Sequence, residues 1–143
     1  MTKAAPRPKG LQAWTALSAL VDTVRTAVNR DLQSEVGLTL AENLVLCRVA
    51  MAPQRRLRMV EIAQLLGVAK SAITKTVDRL EDRGLLARER DPEDRRTVYA
   101  RLTTRGQRTF LAAQPAYVSS IDRHFTRALD RDEIRTLSQL AAR

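Results

Sequence analysis

The sequence predicts a mainly α-helical chain with a small β-wing: a winged helix-turn-helix plus N- and C-terminal dimerisation helices. Three observations predict it. Between Leu57 and Gly106, two short apolar stripes at helical spacing meet at Gly67. A charged hairpin follows them directly. Both ends of the chain carry long apolar stripes that this compact centre does not need for its own core.

Taken in order, residues 1–10 (MTKAAPRPKG) are basic and Pro-containing and read as a disordered arm. Leu11, Trp14, Leu17, Val21, Val24 and Val28 then make one continuous stripe, which predicts a helix from Leu11 to about Leu32. Val36-Gly37-Leu38 breaks the pattern. Thr39 with Glu42 three residues on is a capping box, so a second helix starts there and runs to about Met51. Pro53 to Arg56 reads as a basic loop.

The next stripe is Met59, Ile62, Ala63, Leu65 and Leu66. Gly67 follows where a helix ends in a left-handed residue without a Cβ penalty. The pattern restarts at Ala69–Lys70 with Ile73, Val77 and Leu80, and Gly84 closes it. Small Ala63 permits close helix approach, and Val68 and Ile73 are expected to plug the space between. This is the composition of a helix-turn-helix, whose second helix can enter a major groove. Leu85–Arg90 and Thr97–Leu102 read as strands, the second with Val98, Ala100 and Leu102 alternating against Tyr99 and Arg101. Asp91 to Arg96 is the polar turn between them.

From Thr104 a long helix is expected, with Phe110, Leu111, Tyr117 or Val118, Ile121, Phe125 and Leu129 inward. Pro115 lies inside it and should kink or divide it. Asp130 with Glu133 forms another capping box, and Ile134, Leu137 and Leu140 stripe the last helix. The expected division is therefore a helical dimerisation region over 11–38 and 104–143, around a winged helix-turn-helix over 39–103.

Several short motifs in fixed order match one known family. They are Ile62-Ala63, Leu66-Gly67-Val68, Asp78-Arg79-Leu80-Glu81, Arg83-Gly84-Leu85, Asp91-Pro92-Glu93-Asp94-Arg95-Arg96 and Leu102-Thr103-Thr104-Arg105-Gly106. With this spacing the chain resembles the multiple antibiotic resistance regulator (MarR) family, from about Leu11 to the C-terminus. The resemblance implies a homodimeric, DNA-binding transcriptional regulator. It further implies a repressor of a pseudo-palindromic operator, released by a small aromatic or phenolic effector. Its pocket would lie where the dimer helices meet the winged helix, among Trp14, Leu17, Val45, Val49 and Phe110; these side chains would serve equally well as core.

The residues themselves nominate the DNA contacts. Lys70, Ser71, Thr74, Lys75 and Arg79 fall on the exposed face of the recognition helix, interleaved with buried Ile73, Val77 and Leu80. Ser71 and Thr74 can bond base edges or phosphates, and Lys75 can reach guanine acceptors or a phosphate. In the wing, Asp94 stands two residues before Arg96, where a carboxylate can hold a guanidinium extended toward a minor groove. Arg95 is placed for phosphate. The family has Gln or Ser, Thr, and Arg where this chain has Lys70, Ala72 and Lys75. Lysine lacks the bidentate fork, which predicts softer base readout. Arg58 stands where the family starts its first motif helix with Thr or Ser. That removes a side-chain cap and offers a phosphate contact instead.

Composition bounds the rest. The formal charge of +9 over 143 residues suits a polyanionic partner, or an Arg-rich coding background. One Cys and one His leave no intrachain disulfide and no Cys/His zinc site, so no metal or cofactor is expected. Cys47 lies in an apolar helix and reads as a small buried hydrophobe, the alternative being a redox-sensing thiol; His124 follows Asp122-Arg123 on a polar face and reads as a solvated or hydrogen-bonded surface residue. No phosphate-binding Gly loop, serine motif or carboxylate pair in apolar surroundings points to an enzyme. No apolar run is long enough to span a bilayer, and the chain is expected in the cytoplasm with no membrane partner. The competing reading is a winged-helix protein-interaction module without a specific DNA site.

Overall fold

The computed structural model describes residues 9–143. Helix α1 spans Lys9–Val36, so Lys9 and Gly10 are helical rather than part of a loose arm, and residues 1–8 lie outside the described part. The helix also runs one turn past Leu32. It then gives way to α2 (Leu40–Met51), opened by the expected capping box: Thr39 accepts from the Glu42 N–H, and Glu42 accepts from the Thr39 N–H. The basic loop is more ordered than the sequence suggested. It holds a 3-10 turn over Pro53–Arg55 and then a short strand, β1 (Arg56–Arg58). Three residues give no period to read, so this strand was invisible to pattern.

The motif helices are α3 (Met59–Leu66) and α4 (Lys70–Asp82). Gly67 makes the corner with φ of 63°, the left-handed region that a side chain rarely adopts. Strands β2 (Leu86–Arg90) and β3 (Val98–Leu102) form the wing. The sheet is antiparallel in the order β1-β3-β2, with Leu57 opposite Ala100 and Arg88 opposite Ala100 from the other side.

Helix α5 (Thr104–His124) starts on Thr103, whose hydroxyl accepts from the Gly106 N–H and donates to the Gly84 carbonyl. A Cβ on Gly106 would lie 1.9 Å from the Leu85 carbonyl oxygen, so only glycine lets the helix meet the wing this closely. Pro115 does not divide α5. It and Leu111, one turn earlier, both face outward, so the carbonyl left without a donor is open to water. The helix stops at His124, and Phe125 caps it with non-helical angles; Leu129 lies beyond a further 3-10 turn instead of on the expected long stripe. Helix α6 (Arg131–Ala141) opens on the Asp130–Glu133 capping box.

The main core joins α2, α3, α4 and the wing. Leu46, Val49, Ile62, Val77, Leu80, Leu86 and Ala100 are almost fully enclosed. It reaches past both ends of the 39–103 segment to take in Leu38 and Ala113. Two residues expected in it are outside: Leu65 is 53% exposed and Val68 41%. The eight-residue α3 buries Met59, Ile62 and Ala63 and packs Leu66 against the core, which leaves Leu65 on its outer face. A smaller cluster of Val28, Leu32 and Leu40 binds α1 to α2 and α5.

Candidate nucleic-acid interface

Helix α4 starts on Ala69, which offers no side-chain cap, so the first amides of the helix point outward with Lys70 and Ser71 beside them. Uncapped N–H groups and the positive end of the helix dipole suit an anion. Lys75 is exposed one turn further on. Thr74 is half-buried, and its hydroxyl already donates to the Lys70 carbonyl at 3.0 Å, which leaves it only as an acceptor from a ligand.

Arg79 departs from its expected place on the DNA face. Its Nε donates to Glu42 Oε1 at 3.3 Å and its Nη2 to Thr76 at 3.3 Å, so it is turned toward α2. Glu42, 4% exposed, also takes Arg83 at 3.2 Å. On the opposite flank, Arg88 of β2 bridges Asp78 and Glu81 of α4 and ties the wing to the helix.

The wing turn is built on two carboxylates. Asp91 accepts the N–H groups of Glu93 and Asp94, and these bonds hold its carboxyl below the usual range. Asp94 accepts the backbone N–H of Arg96 at 3.0 Å and the Thr97 hydroxyl at 2.9 Å. It therefore shapes the turn that presents Arg96 and does not grip the guanidinium, which corrects the sequence expectation; the chain reverses so tightly there that the main-chain donor is nearer. Arg95 and Arg96 are both exposed.

A cleft of about 350 Å³ separates α4 from the wing, lined by Arg58, Lys70, Thr74, Arg88, Arg96 and Thr97. Two of its cations are neutralised within the fold, Arg88 as above and Arg58 by Glu61, which also accepts the Arg58 backbone N–H. These two hydrogen bonds to Glu61 satisfy the Arg58 N–H and hold its guanidinium, the reciprocal half of a capping box, and α3 begins at Met59. Among the described residues Lys70, Lys75, Arg90, Arg95 and Arg96 make no ion pair, whereas Arg56, Arg58, Arg79, Arg83, Arg88 and Arg101 all do. Arg48, Arg55, Arg105 and Arg108 are also without an ion pair, so the first half of α4 and the wing carry five unpaired cations within a set that extends beyond them.

A family model described as MarR family matches residues 38–98. Transcriptional regulator HosA of Escherichia coli O111:H- is 31% identical over 91 residues, 64% of this chain and 67% of HosA. Multiple antibiotic resistance protein MarR of Escherichia coli K12 is 28% identical over 85% of this chain and 83% of that protein. Sco3205, a MarR family transcriptional regulator from Streptomyces coelicolor solved in complex with DNA, superposes with a TM-score of 0.86 at 25% identity, covering 98% of this chain and 89% of that one.

The chain belongs to the MarR family. It is a winged-helix, DNA-binding transcriptional regulator.

The five side chains expected to line a MarR effector pocket do not share a cavity. Val45 and Val49 are sealed in the main core with Phe110 packed against it, whereas Trp14 is 67% exposed on α1. Leu17 instead lines an apolar cavity of about 490 Å³ between α1 and α6, with Val21, Val24, Phe125, Leu137 and Arg25. The stripe on α1 is longer than the winged-helix core it was expected to meet, so its N-terminal half extends past that core. Cys47 is half-buried, not core, with its Sγ 3.7 Å from Met51 Sδ on the outer side of α2.

His124 belongs to a cluster that pattern did not show. Asp31 of α1, 8% exposed, accepts from Ser120 at 2.7 Å and lies 2.7 Å from His124 Nε2, with Arg123 at 3.2 Å. Ser120 first, then His124, hold the Asp31 carboxyl at about 2, against burial that pushes it up. The sequence signal was present only as a lone polar residue on an apolar stripe. Among the described residues no helix is long and apolar enough to cross a membrane.

Proposed function

We propose that this MarR-family protein acts as a homodimer on a pseudo-palindromic duplex. The first half of each α4 enters a major groove through Lys70, Ser71, Thr74 and Lys75, and each wing lays Arg96 in a flanking minor groove with Arg95 on phosphate. The observation that carries this reading is the sorting of charge. Seven cations between residues 39 and 103 make no ion pair, and five of them, Lys70, Lys75, Arg90, Arg95 and Arg96, lie on the first half of α4 or on the wing, the other two being Arg48 and Arg55. Unpaired cations are the ones that release counterions on phosphate.

Dimerisation is supported by apolar surface that the protomer leaves open. Leu11, Trp14 and Leu20 of α1, Leu111 and Val118 of α5, and Leu140 of α6 are each more than 40% exposed. So large an apolar area on a monomer marks an interface. In the dimer the partner's helices close the open side of the α1–α6 cavity, whose apolar walls and marginal Arg25 suit a small aromatic or phenolic effector. Its binding would release the duplex and make the protein a repressor.

Selection from random duplexes, followed by titration of the enriched site against a scrambled duplex over a range of salt, tests the reading. A two-fold-related consensus bound at least about a thousandfold more tightly than the scrambled duplex is expected. No enrichment, with equal affinity for both, would leave the interaction-module reading in its place.

A further inference from the structure

Three helices of this chain start with a glutamate at the third position that accepts the N-cap amide: Glu42 on α2, Glu61 on α3 and Glu133 on α6. Glu61 reaches only its neighbour Arg58, and Glu133 is exposed beside Asp130. Of the three, Glu42 alone is buried, at 4% exposed, and alone reaches residues distant in sequence, holding Arg79 by Oε1 and Arg83 by Oε2. Capping does not require this. A carboxylate loses hydration on burial and is tolerated there when paired and hydrogen-bonded.

Arg79 and Arg83 stand one turn apart at the far end of α4, behind the half that carries the unpaired Lys70 and Lys75. The start of α2, which Glu42 caps, is itself tied to α1: the Leu40 N–H donates to Asn29 Oδ1 at 2.8 Å. A polar connection thus runs from α1 through the first turn of α2 to the recognition helix. Without it, two guanidinium groups at the end of α4 would be loose beside a polyanion.

We propose that Glu42 is a positioning residue for operator recognition: it fixes the recognition helix relative to α1 and withholds Arg79 and Arg83 from the DNA backbone. The proposal rests on the DNA-binding reading above. Fixing the helix sharpens sequence preference, because base contacts need a defined register whereas phosphate contacts do not. Withholding two cations lowers sequence-independent affinity.

The test uses the full-length protein and Glu42→Gln, which keeps an acceptor for the Thr39 amide and removes the charge. Affinities for the selected site and for a scrambled duplex are measured across salt. The preference for the selected site is expected to fall about tenfold. The salt slope on scrambled duplex should steepen by about 0.9 for each arginine that reaches a phosphate. Adding Arg79→Gln and Arg83→Gln to that variant should cancel the steepening. A merely structural role weakens both duplexes in proportion and leaves the slope alone; that result, or an unchanged preference, overturns the proposal. If Glu42→Gln does not fold, Arg83→Gln, which leaves Glu42 paired with Arg79, should lose part of the preference, and retention of all of it overturns the proposal. Amide exchange over residues 76–82 decides the clamp even if the wild type prefers no site. Faster exchange in the variant supports it, and wild-type exchange overturns it.

Discussion

Leu80 of α4 and Leu137 of α6 occupy equivalent places, each on the apolar side of an amphipathic helix. Leu80 is 0% exposed and Leu137 37%. The same contrast holds between the regions around them. In the winged helix, α2, α3, α4 and the sheet close over one another, and most of each stripe finds an opposing surface inside the protomer. In α6 no residue is buried, and the first half of α1 is open along its length. An amphipathic stripe therefore says that a surface needs covering and not by what. Burying a leucine is worth about 1.5–3 kcal/mol, whether the covering surface comes from the same chain or another.

The contrast can be broken most strongly by removing residues 130–143. The winged helix should stay folded by circular dichroism while sedimentation shows loss of the dimer. Operator affinity should fall by at least about a hundredfold, because two half-sites no longer bind as one unit. A truncated monomer with full operator affinity would overturn the dimer.

Next in size is the paired substitution at the two leucines. Leu80→Ala should lower unfolding free energy by about 2–5 kcal/mol, the range for emptying an enclosed site. Leu137→Ala should barely change the protomer and instead raise the dimer dissociation constant. Denaturation followed at several protein concentrations separates the two: the Leu137→Ala midpoint should stop depending on dilution at concentrations where the wild-type midpoint still shifts, and equal shifts throughout would count against the interface.

Within the winged helix, Lys75→Ala should cost about 1–3 kcal/mol per half-site and alter preference at one base position, if it meets guanine. Arg96→Ala should weaken many sequences alike, reduce the salt slope, and matter most beside A·T-rich flanks. Asp94→Ala should resemble a milder Arg96→Ala, by loosening the turn that presents the arginine. Unchanged affinity and flank preference in both wing variants would remove the wing from the interface.

Asp31 ties α1 to α5 outside the winged helix, and the pH dependence of its contribution is confined to acid. Its carboxyl ionises at about 2, below its ordinary 3.8. A depressed acid contributes stability that is complete above its unfolded value and disappears as pH falls through the folded one. Its contribution should therefore be present above about pH 4 and be lost toward pH 2. Asp31→Asn should cost about 1–3 kcal/mol at neutral pH and flatten that acid limb. Urea melts of both proteins from pH 2 to 7 check it, and parallel limbs would exclude Asp31 as the source.

Smallest of all should be Cys47→Ala. The side chain is half-buried on the outer side of α2, and its polar contact is a thioether. Duplex affinity and its response to peroxide should match the parent. A peroxide response present in the parent and absent in the variant would contradict a structural role.

The sequence by itself determined the elements whose causes are local. Thr39–Glu42 and Asp130–Glu133 mark helix starts because capping spans three residues, and Gly67 marks the corner because the backbone there takes a left-handed conformation that glycine adopts without a Cβ penalty. Ile73, Val77 and Leu80 face inward because their period is that of the helix. Tertiary structure alone decided what each side chain meets. Arg79 was legible as an exposed cation on α4, but a buried carboxylate 37 residues earlier draws it off the DNA face. Asp31 and His124 are 93 residues apart, and the lone histidine finds its partner only when α5 packs along α1. Periodicity assigns a side chain to a face, whereas hydrogen bonds and ion pairs act over about 3 Å. Only the packing of distant segments brings their partners within that distance.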